Sequence, residues 1–195
     1  MSRSLQKRLE DDGLNLSPLF YERVQRYKEH LMKWNRIHNL TGARSEAVID
    51  DFIHDAVYPV SFLPKVSTLM DIGTGAGFPG MILAFALDDT EVTLVEPISK
   101  RASFLQFIKA DLDLAHVIVE NHRVEALPPK SYDIVTSRAV TDTQLLLQLS
   151  APYTRDGSLL LFYKGEKVFD EVDPSLDYEI IETHHRHYLI IKKHS

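Results

Sequence analysis

From Phe20 to Trp34 apolar residues fall at steps of four and three (Phe20, Val24, Tyr27, Leu31, Trp34), one stripe along a helix. Ser17-Pro18 supplies its start, with serine as N-cap and proline in the first turn. The opposite side carries Arg23, Arg26, Lys28, Lys33 and Arg36. Residues 46–63 read as one or two further helices limited by Pro59 and Pro64. Residues 1–65 are therefore expected to form a helical extension. From Thr68 onward the pattern changes to short apolar runs alternating with amphipathic stretches. Strands are expected near 68–72, 91–95, 116–120, 132–136, 158–163, 178–183 and 187–192, and helices near 79–87, 99–111 and 142–151. Such alternation predicts a mostly parallel seven-stranded sheet with helices on both faces. The last two strands, joined by a short polar link, should close it as an antiparallel hairpin. Residues 66–195 read as one compact α/β core.

One segment of this core carries chemistry. Residues 69–80 read Leu-Met-Asp-Ile-Gly-Thr-Gly-Ala-Gly-Phe-Pro-Gly, a glycine loop between the first strand and the first helix. Glycines at 73, 75 and 77 let the backbone turn tightly and approach a ligand closely. Glu96 ends the next strand, where a carboxylate can accept two hydrogen bonds from a ribose diol. This is the layout of a nucleoside-cofactor site at the carboxyl ends of parallel strands. Gly75-x-Gly77-x-x-Gly80 also fits the dinucleotide fingerprint literally, a weak match by itself. Asp71 before the loop could hold a cofactor's amino-acid end, or satisfy loop amides. A pyrophosphate would gain little from a carboxylate there, which favours S-adenosylmethionine over a nicotinamide dinucleotide. The spacing Gly73-x-Gly75-x-Gly77 after an acid is similar to that of class I methyltransferases, and a plain strand-to-helix turn is the bland alternative.

Composition alters this picture little. At 195 residues the chain is the size of one ordinary domain. There is no cysteine, which excludes disulfides and thiolate metal sites and suits a reducing cytoplasm. No apolar run approaches the ~20 residues of a membrane span, and the first residues lack the apolar core of a signal peptide. Net charge is −6, unpromising for a nucleic-acid enzyme, but it is unevenly spread. Residues 1–44 hold nine Lys/Arg against five Asp/Glu, net +4, which leaves −10 for the rest. The tail 184–195 has three Lys/Arg, four His and no acid. If the chain ends meet they could form a basic face; the alternative is solvated surface charge.

Several blocks together resemble one family. They are Trp34-Asn35-x-x-x-Asn39-Leu40-Thr41, the loop from Asp71 to Gly80, Lys100-Arg101, Arg123-Val124-Glu125, Ser137-Arg138-Ala139 and Lys164-Gly165. In this order and spacing, from about residue 15 onward, the chain resembles the bacterial RsmG (GidB) family, which methylates N7 of a guanine in 16S ribosomal RNA. It departs from the family's His-x-x-Asp-Ser block, since His54 and Asp55 are adjacent and Ala56 follows; neither receives a role. The resemblance implies the class I methyltransferase fold, S-adenosylmethionine as cofactor, and 16S rRNA or the small ribosomal subunit as partner.

Guanine N7 has an exposed in-plane lone pair, so methyl transfer to it needs positioning rather than a general base. The chain agrees by what it lacks: it has neither a cysteine for a covalent adduct nor an Asn/Asp-Pro-Pro-Tyr/Phe block. Arg138 is expected to orient the substrate, by stacking on a base or by bonding guanine acceptors, and by resemblance to touch the cofactor; a rim salt bridge is the alternative. Lys164 could contact a phosphate or guanine O6, or be a solvated loop lysine. For the cofactor we expect Asp71, Gly73, Gly75, Gly77, Phe78, Glu96 and Arg138, with Val124 and Glu125 flanking the adenine. For RNA we expect Arg36, Asn39, Lys100, Arg101, Lys164 and Arg186. Trp34 suits the core. Asn35 and Asn39 could cap the helix or touch RNA, with a structural role favoured for one. His184, His185 and His187 cluster without a carboxylate at ligand spacing, so no metal is expected.

Two rival readings remain. A dehydrogenase would need a second glycine loop, which residues 132–165 lack. An RNA-binding module with a merely regulatory cofactor pocket is opposed by the intact loop, Glu96 and Arg138. The expected enzyme is monomeric, since no exposed apolar stripe is left unassigned, and cytoplasmic.

Overall fold

The computed structural model describes residues 4–138, 141–183 and 186–194. Three helices come first: α1 (Leu5–Asp11), α2 (Pro18–His38) and α3 (Glu46–Val57), the last running into a 3-10 turn at Tyr58–Ser61. Ser4, Ser17 and Ser45 cap them, each hydroxyl accepting a backbone N–H three residues on. Then come β1 (Thr68–Ile72), α4 (Gly80–Ala86), β2 (Glu91–Val95), α5 (Ser99–Asp111), β3 (Val117–Glu120) and β4 (Ile134–Arg138). The chain closes with α6 (Thr143–Ser150), β5 (Leu159–Lys164), the short α7 (Val168–Glu171), β6 (Tyr178–Glu182) and β7 (His187–Lys192).

The sheet order is β3-β2-β1-β4-β5-β7-β6. Pairing is parallel from β3 to β5 and antiparallel at β5–β7 and β7–β6. The expected seven-stranded sheet with an antiparallel C-terminal hairpin is thus present. Chain order reverses between β1 and β4, so a crevice opens beyond their carboxyl ends, where parallel α/β sheets bind ligands.

Local differences from the sequence expectation have physical causes. The fourth strand starts at Ile134 rather than residue 132, because Asp133 is diverted: its Oδ2 accepts the Ser67 and Thr68 amides. Lys28 does not belong to a solvated face. It is 8% exposed and its Nζ lies 2.6 Å from Asp50 Oδ1. Most other basic residues of the first helices are likewise paired: Arg8 with Asp51, Arg23 with Asp88, Arg26 with Asp111.

The helical extension packs on the sheet instead of standing apart. Phe20, Val24, Tyr27, Leu31, Ile49 and Ile53 belong to the same buried cluster as β1, α4, β2 and α5. Tyr27 reaches furthest: its buried hydroxyl donates to Ala76 O at 2.7 Å, pinning the glycine loop from below. Trp34 is partly buried against Phe104 and Phe107. Among the described residues no helix is long and apolar enough to cross a membrane.

Candidate cofactor cleft

β1 and β2 end side by side, and their ends are stitched together. Gly73 N and Thr74 N both donate to Val95 O, at 2.9 and 3.1 Å. Glu96, 2% exposed, then bridges the two loops with its carboxylate: Oε2 accepts Gly75 N and Oε1 accepts Ile98 N, both at 2.8 Å. It also lines a cleft of about 400 Å3. Glu96 therefore shapes the loop as well as lining the space above it.

The glycines divide the work. Gly75, at φ +63°, has nothing within 4 Å of where a Cβ would stand, and it opens on the cleft. Gly77, at φ +112°, is closed in: a Cβ there would sit 2.8 Å from Met81 Cβ. Gly73 and Phe78 line the cleft; Gly77 shapes the loop from outside the lining.

Asp71 proves to be a loop-holding residue. It is fully buried beneath the loop and does not line the cleft; its Oδ2 accepts Gly80 N at 2.7 Å. Its Oδ1 is buried without a hydrogen-bond partner. Burial pushes its pKa up to about 7, against the pull of the Thr74 hydroxyl, the Gly80 amide and the Arg138 charge. The folded pKa lies above the unfolded one, so between about pH 4 and 7 the folded chain keeps a proton that the unfolded chain has lost. Stability contributed by this group falls as pH rises through that window. Asp71→Asn keeps an acceptor for Gly80 N–H and has no charge to bury. It will gain stability relative to the parent between roughly pH 5 and pH 8, read by urea unfolding at both; a difference independent of pH contradicts the assignment.

Arg138, the last residue of β4, lines the opposite wall. Its neighbour Ser137 ties the strand end down, Oγ donating to Ile72 O at 2.9 Å. The guanidinium carbon lies 4.4 Å from the centroid of the Phe52 ring and 5.2 Å from that of Phe78. Among the described residues Nη1 is buried without a hydrogen-bond partner. Burial, and then the nearby Arg186, press its pKa down. The residue as a whole is partly exposed and lines the cleft, so the rest of its guanidinium can meet a ligand acceptor.

Other expected site residues lie elsewhere. Val124 and Glu125 are not in the lining; the Val124 carbonyl accepts the Tyr153 hydroxyl and Glu125 is exposed. The loop following Glu96 supplies Pro97 and Ile98 to the cleft instead, and Ile98 is 41% exposed there. Lys164 is turned to Glu171 at 3.0 Å and to Thr141 O at 3.2 Å. Arg186 forms a two-pronged bond to Asp55 Oδ2, at 3.1 and 2.8 Å, so it is not a solvent-facing cation. Asn35 is structural, bonding Ala43 O and Thr41 N, and Asn39 ends α2 with φ 51° while accepting Arg44. Arg36 is exposed at the end of α2. Lys100 and Arg101 donate to His38 O and Leu40 O, so they clamp that end to α5; Arg101 also lines the cleft with Leu40, Thr41 and Gly42. Ala139, His184 and His185 lie outside the described residues.

Sequence reading missed Phe52, Asp55 and Ile98. For the first two a signal existed: Phe52-x-x-Asp55-Ala56 has the spacing of the family's His-x-x-Asp-Ser block, with phenylalanine in place of histidine. Reading the block from His54 lost that register.

Similar proteins carry the same plan. The chain is 42% identical over 186 residues to ribosomal RNA small subunit methyltransferase G of Wolinella succinogenes, covering 95% of this chain and 96% of that protein. It is 43% identical over 190 residues to the protein of that name from Aliarcobacter butzleri, covering 96% and 98%. Among solved structures it resembles the ribosomal protein L11 methylase of Lactobacillus delbrueckii (TM-score 0.57, 13% identity, 75% of this chain and 80% of that one). It also resembles coclaurine N-methyltransferase bound to N-methylheliamine and SAH (TM-score 0.54, 15% identity, 82% and 56%). At those identities the likeness concerns the fold, that of class I methyltransferases. The family model for GidB, described as rRNA small subunit methyltransferase G, matches residues 20–193, and the chain belongs to that family.

Proposed function

We propose that this chain transfers the methyl group of S-adenosylmethionine to N7 of one guanine in the RNA of the small ribosomal subunit. The observation that carries the cofactor half is the Glu96 bridge: a buried carboxylate that shapes an open glycine loop and lines the cleft. The residues present fit the cofactor. Glu96 holds the ribose hydroxyls, Ile98 offers apolar surface to the adenine, and the Gly73–Gly75 backbone leaves room for the methionine part. Arg138, partly exposed on the cleft wall, can donate to an acceptor at that end.

When bound, S-adenosylmethionine supplies an electrophilic methyl group on a sulfonium. The chain's own residues position. N7 carries a lone pair that needs no deprotonation, so no side chain has to act as base, and in-line placement accounts for the rate. Arg138, held at the end of β4, orients what enters the cleft. Lys164 is paired with Glu171 and is not required to touch substrate.

The RNA half rests on family membership, and on cations where α2 meets α5, of which Arg101 lines the cleft. Exposed Lys33 and Arg36 stand on the last turns of α2, and Lys100 with Arg101 joins that end to α5. Such a modest patch on an acidic chain suits recognition of RNA shape and an unpaired loop. The enzyme is proposed to act as a cytoplasmic monomer.

Two measurements check this reading. Calorimetry with S-adenosylhomocysteine should show one site per chain. Labelled S-adenosylmethionine should then methylate small subunits from cells lacking the gene. Binding without label in either subunits or naked 16S rRNA would remove the RNA substrate and leave the cofactor site standing.

A further inference from the structure

Arg138 is held in an unusual way. A buried arginine is ordinarily met by a carboxylate that takes up its donors. Here an aromatic corner takes that place. The Phe52 and Phe78 rings meet edge to face, 5.5 Å apart at 78°, and the guanidinium lies over both. Attraction to ring faces fixes the group without consuming its N–H donors. Among the described residues the buried Nη1 has no partner, and the residue itself is partly exposed and lines the cleft.

Phe78 belongs to the glycine loop, but Phe52 comes from α3 in the N-terminal extension. Asp55, one turn on, stands on the same helix face. Two acids act on Arg138, Asp55 and Asp71, but Asp55 is bound by Arg186 and Asp71 Oδ2 by Gly80 N. The end of α3 is pinned by two tyrosines of the sheet. Tyr188 donates to Asp55 O at 3.0 Å and Tyr163 donates to Ala56 O at 2.8 Å. These carbonyls belong to the last turn, which has no intrahelical partners. The helix is thereby fixed in place, and Phe52 with it.

We infer that Phe52 is a positioning residue: it holds Arg138 by its face, so that the guanidinium donors stay available to the methionine end of the cofactor. This rests on the S-adenosylmethionine reading of the cleft. It also gives the helical extension a part in cofactor binding, beyond packing.

The test is a set of variants read by calorimetry with S-adenosylhomocysteine, alongside thermal melts. Phe52→Leu keeps apolar volume and removes the aromatic face. Its dissociation constant should rise about tenfold, equivalent to about 1.4 kcal/mol. Phe52→Tyr, which restores the face, should recover binding to within about twofold of the parent. In an Arg138→Met background Phe52→Leu should cost nothing further, because its effect passes through the guanidinium. Equal losses in Phe52→Leu and Phe52→Tyr, or the same loss with and without Arg138, would overturn the inference and leave Phe52 a packing residue. If the parent itself binds no S-adenosylhomocysteine, the reading of the cleft fails, and this inference with it.

Discussion

Glu96→Ala will lower kcat/KM for methyl transfer by at least about a hundredfold. The carboxylate accepts Gly75 N and Ile98 N at 2.8 Å each while nearly buried. Hydrogen bonds to a charged group contribute about 1.5–3 kcal/mol apiece, so removing both relaxes the loops as well as deleting the ribose contact. Glu96→Gln will do little better. Both oxygens face backbone N–H donors, and an amide can accept from only one of them while its NH2 group confronts the other. The loss should appear as weaker S-adenosylhomocysteine binding in calorimetry, with the protein still folded. A Glu96→Gln protein that binds within about threefold of the parent would show that the bridge does not set the loop.

The second large effect falls on folding. Gly80→Ala will destabilise the chain by about 3 kcal/mol or more, at the upper end of what overpacking costs. A Cβ at Gly80 would overlap Leu94 and stand 2.7 Å from both Cβ and Oδ2 of Asp71. Leu94 Cδ2 can turn away at its side-chain end, but Asp71 Cβ cannot, because it is fixed to a backbone paired between β2 and β4. The new methyl also displaces the carboxylate that accepts Gly80 N–H. The melting temperature should drop on the order of 10 °C for a chain of this length. Gly75→Ala provides the contrast. It meets no atom within 4 Å but must adopt φ +63°, so it costs about 1 kcal/mol of strain while its methyl group intrudes on the cleft. Near-parental melting of Gly80→Ala would show that the loop packs more loosely than its contacts indicate.

The fold was legible where burial is two-sided. β1, β2, β4 and β5 are runs of apolar and β-branched residues because helices cover both sheet faces, so their existence and parallel pairing followed from the alternation. Glu96 and the glycine loop were legible because a strand end fixes where both must lie. Charged residues were the least legible. Lys28 reads as a helix-face cation until Asp50 is folded against it, and Arg186 reads as a basic tail until Asp55, 131 positions away, receives it. Long side chains choose partners in space, and one sequence does not record the choice. Asp71 shows the same limit for a buried acid: a carboxylate beside a glycine loop suits a ligand, yet its Oδ2 points down to Gly80 N. Val124 and Glu125 are expected beside the adenine through backbone groups, and the sequence does not show that the Val124 carbonyl is taken by the Tyr153 hydroxyl.

What remains is the methylated atom itself. Small subunits from cells lacking this gene, incubated with the protein and S-adenosylmethionine, would be subjected to borohydride reduction and aniline cleavage, and the 16S rRNA mapped by primer extension. One new stop, at a single guanine and absent with Glu96→Ala, is the expected result. Methyl label incorporated into the RNA without any aniline-sensitive stop would contradict transfer to N7.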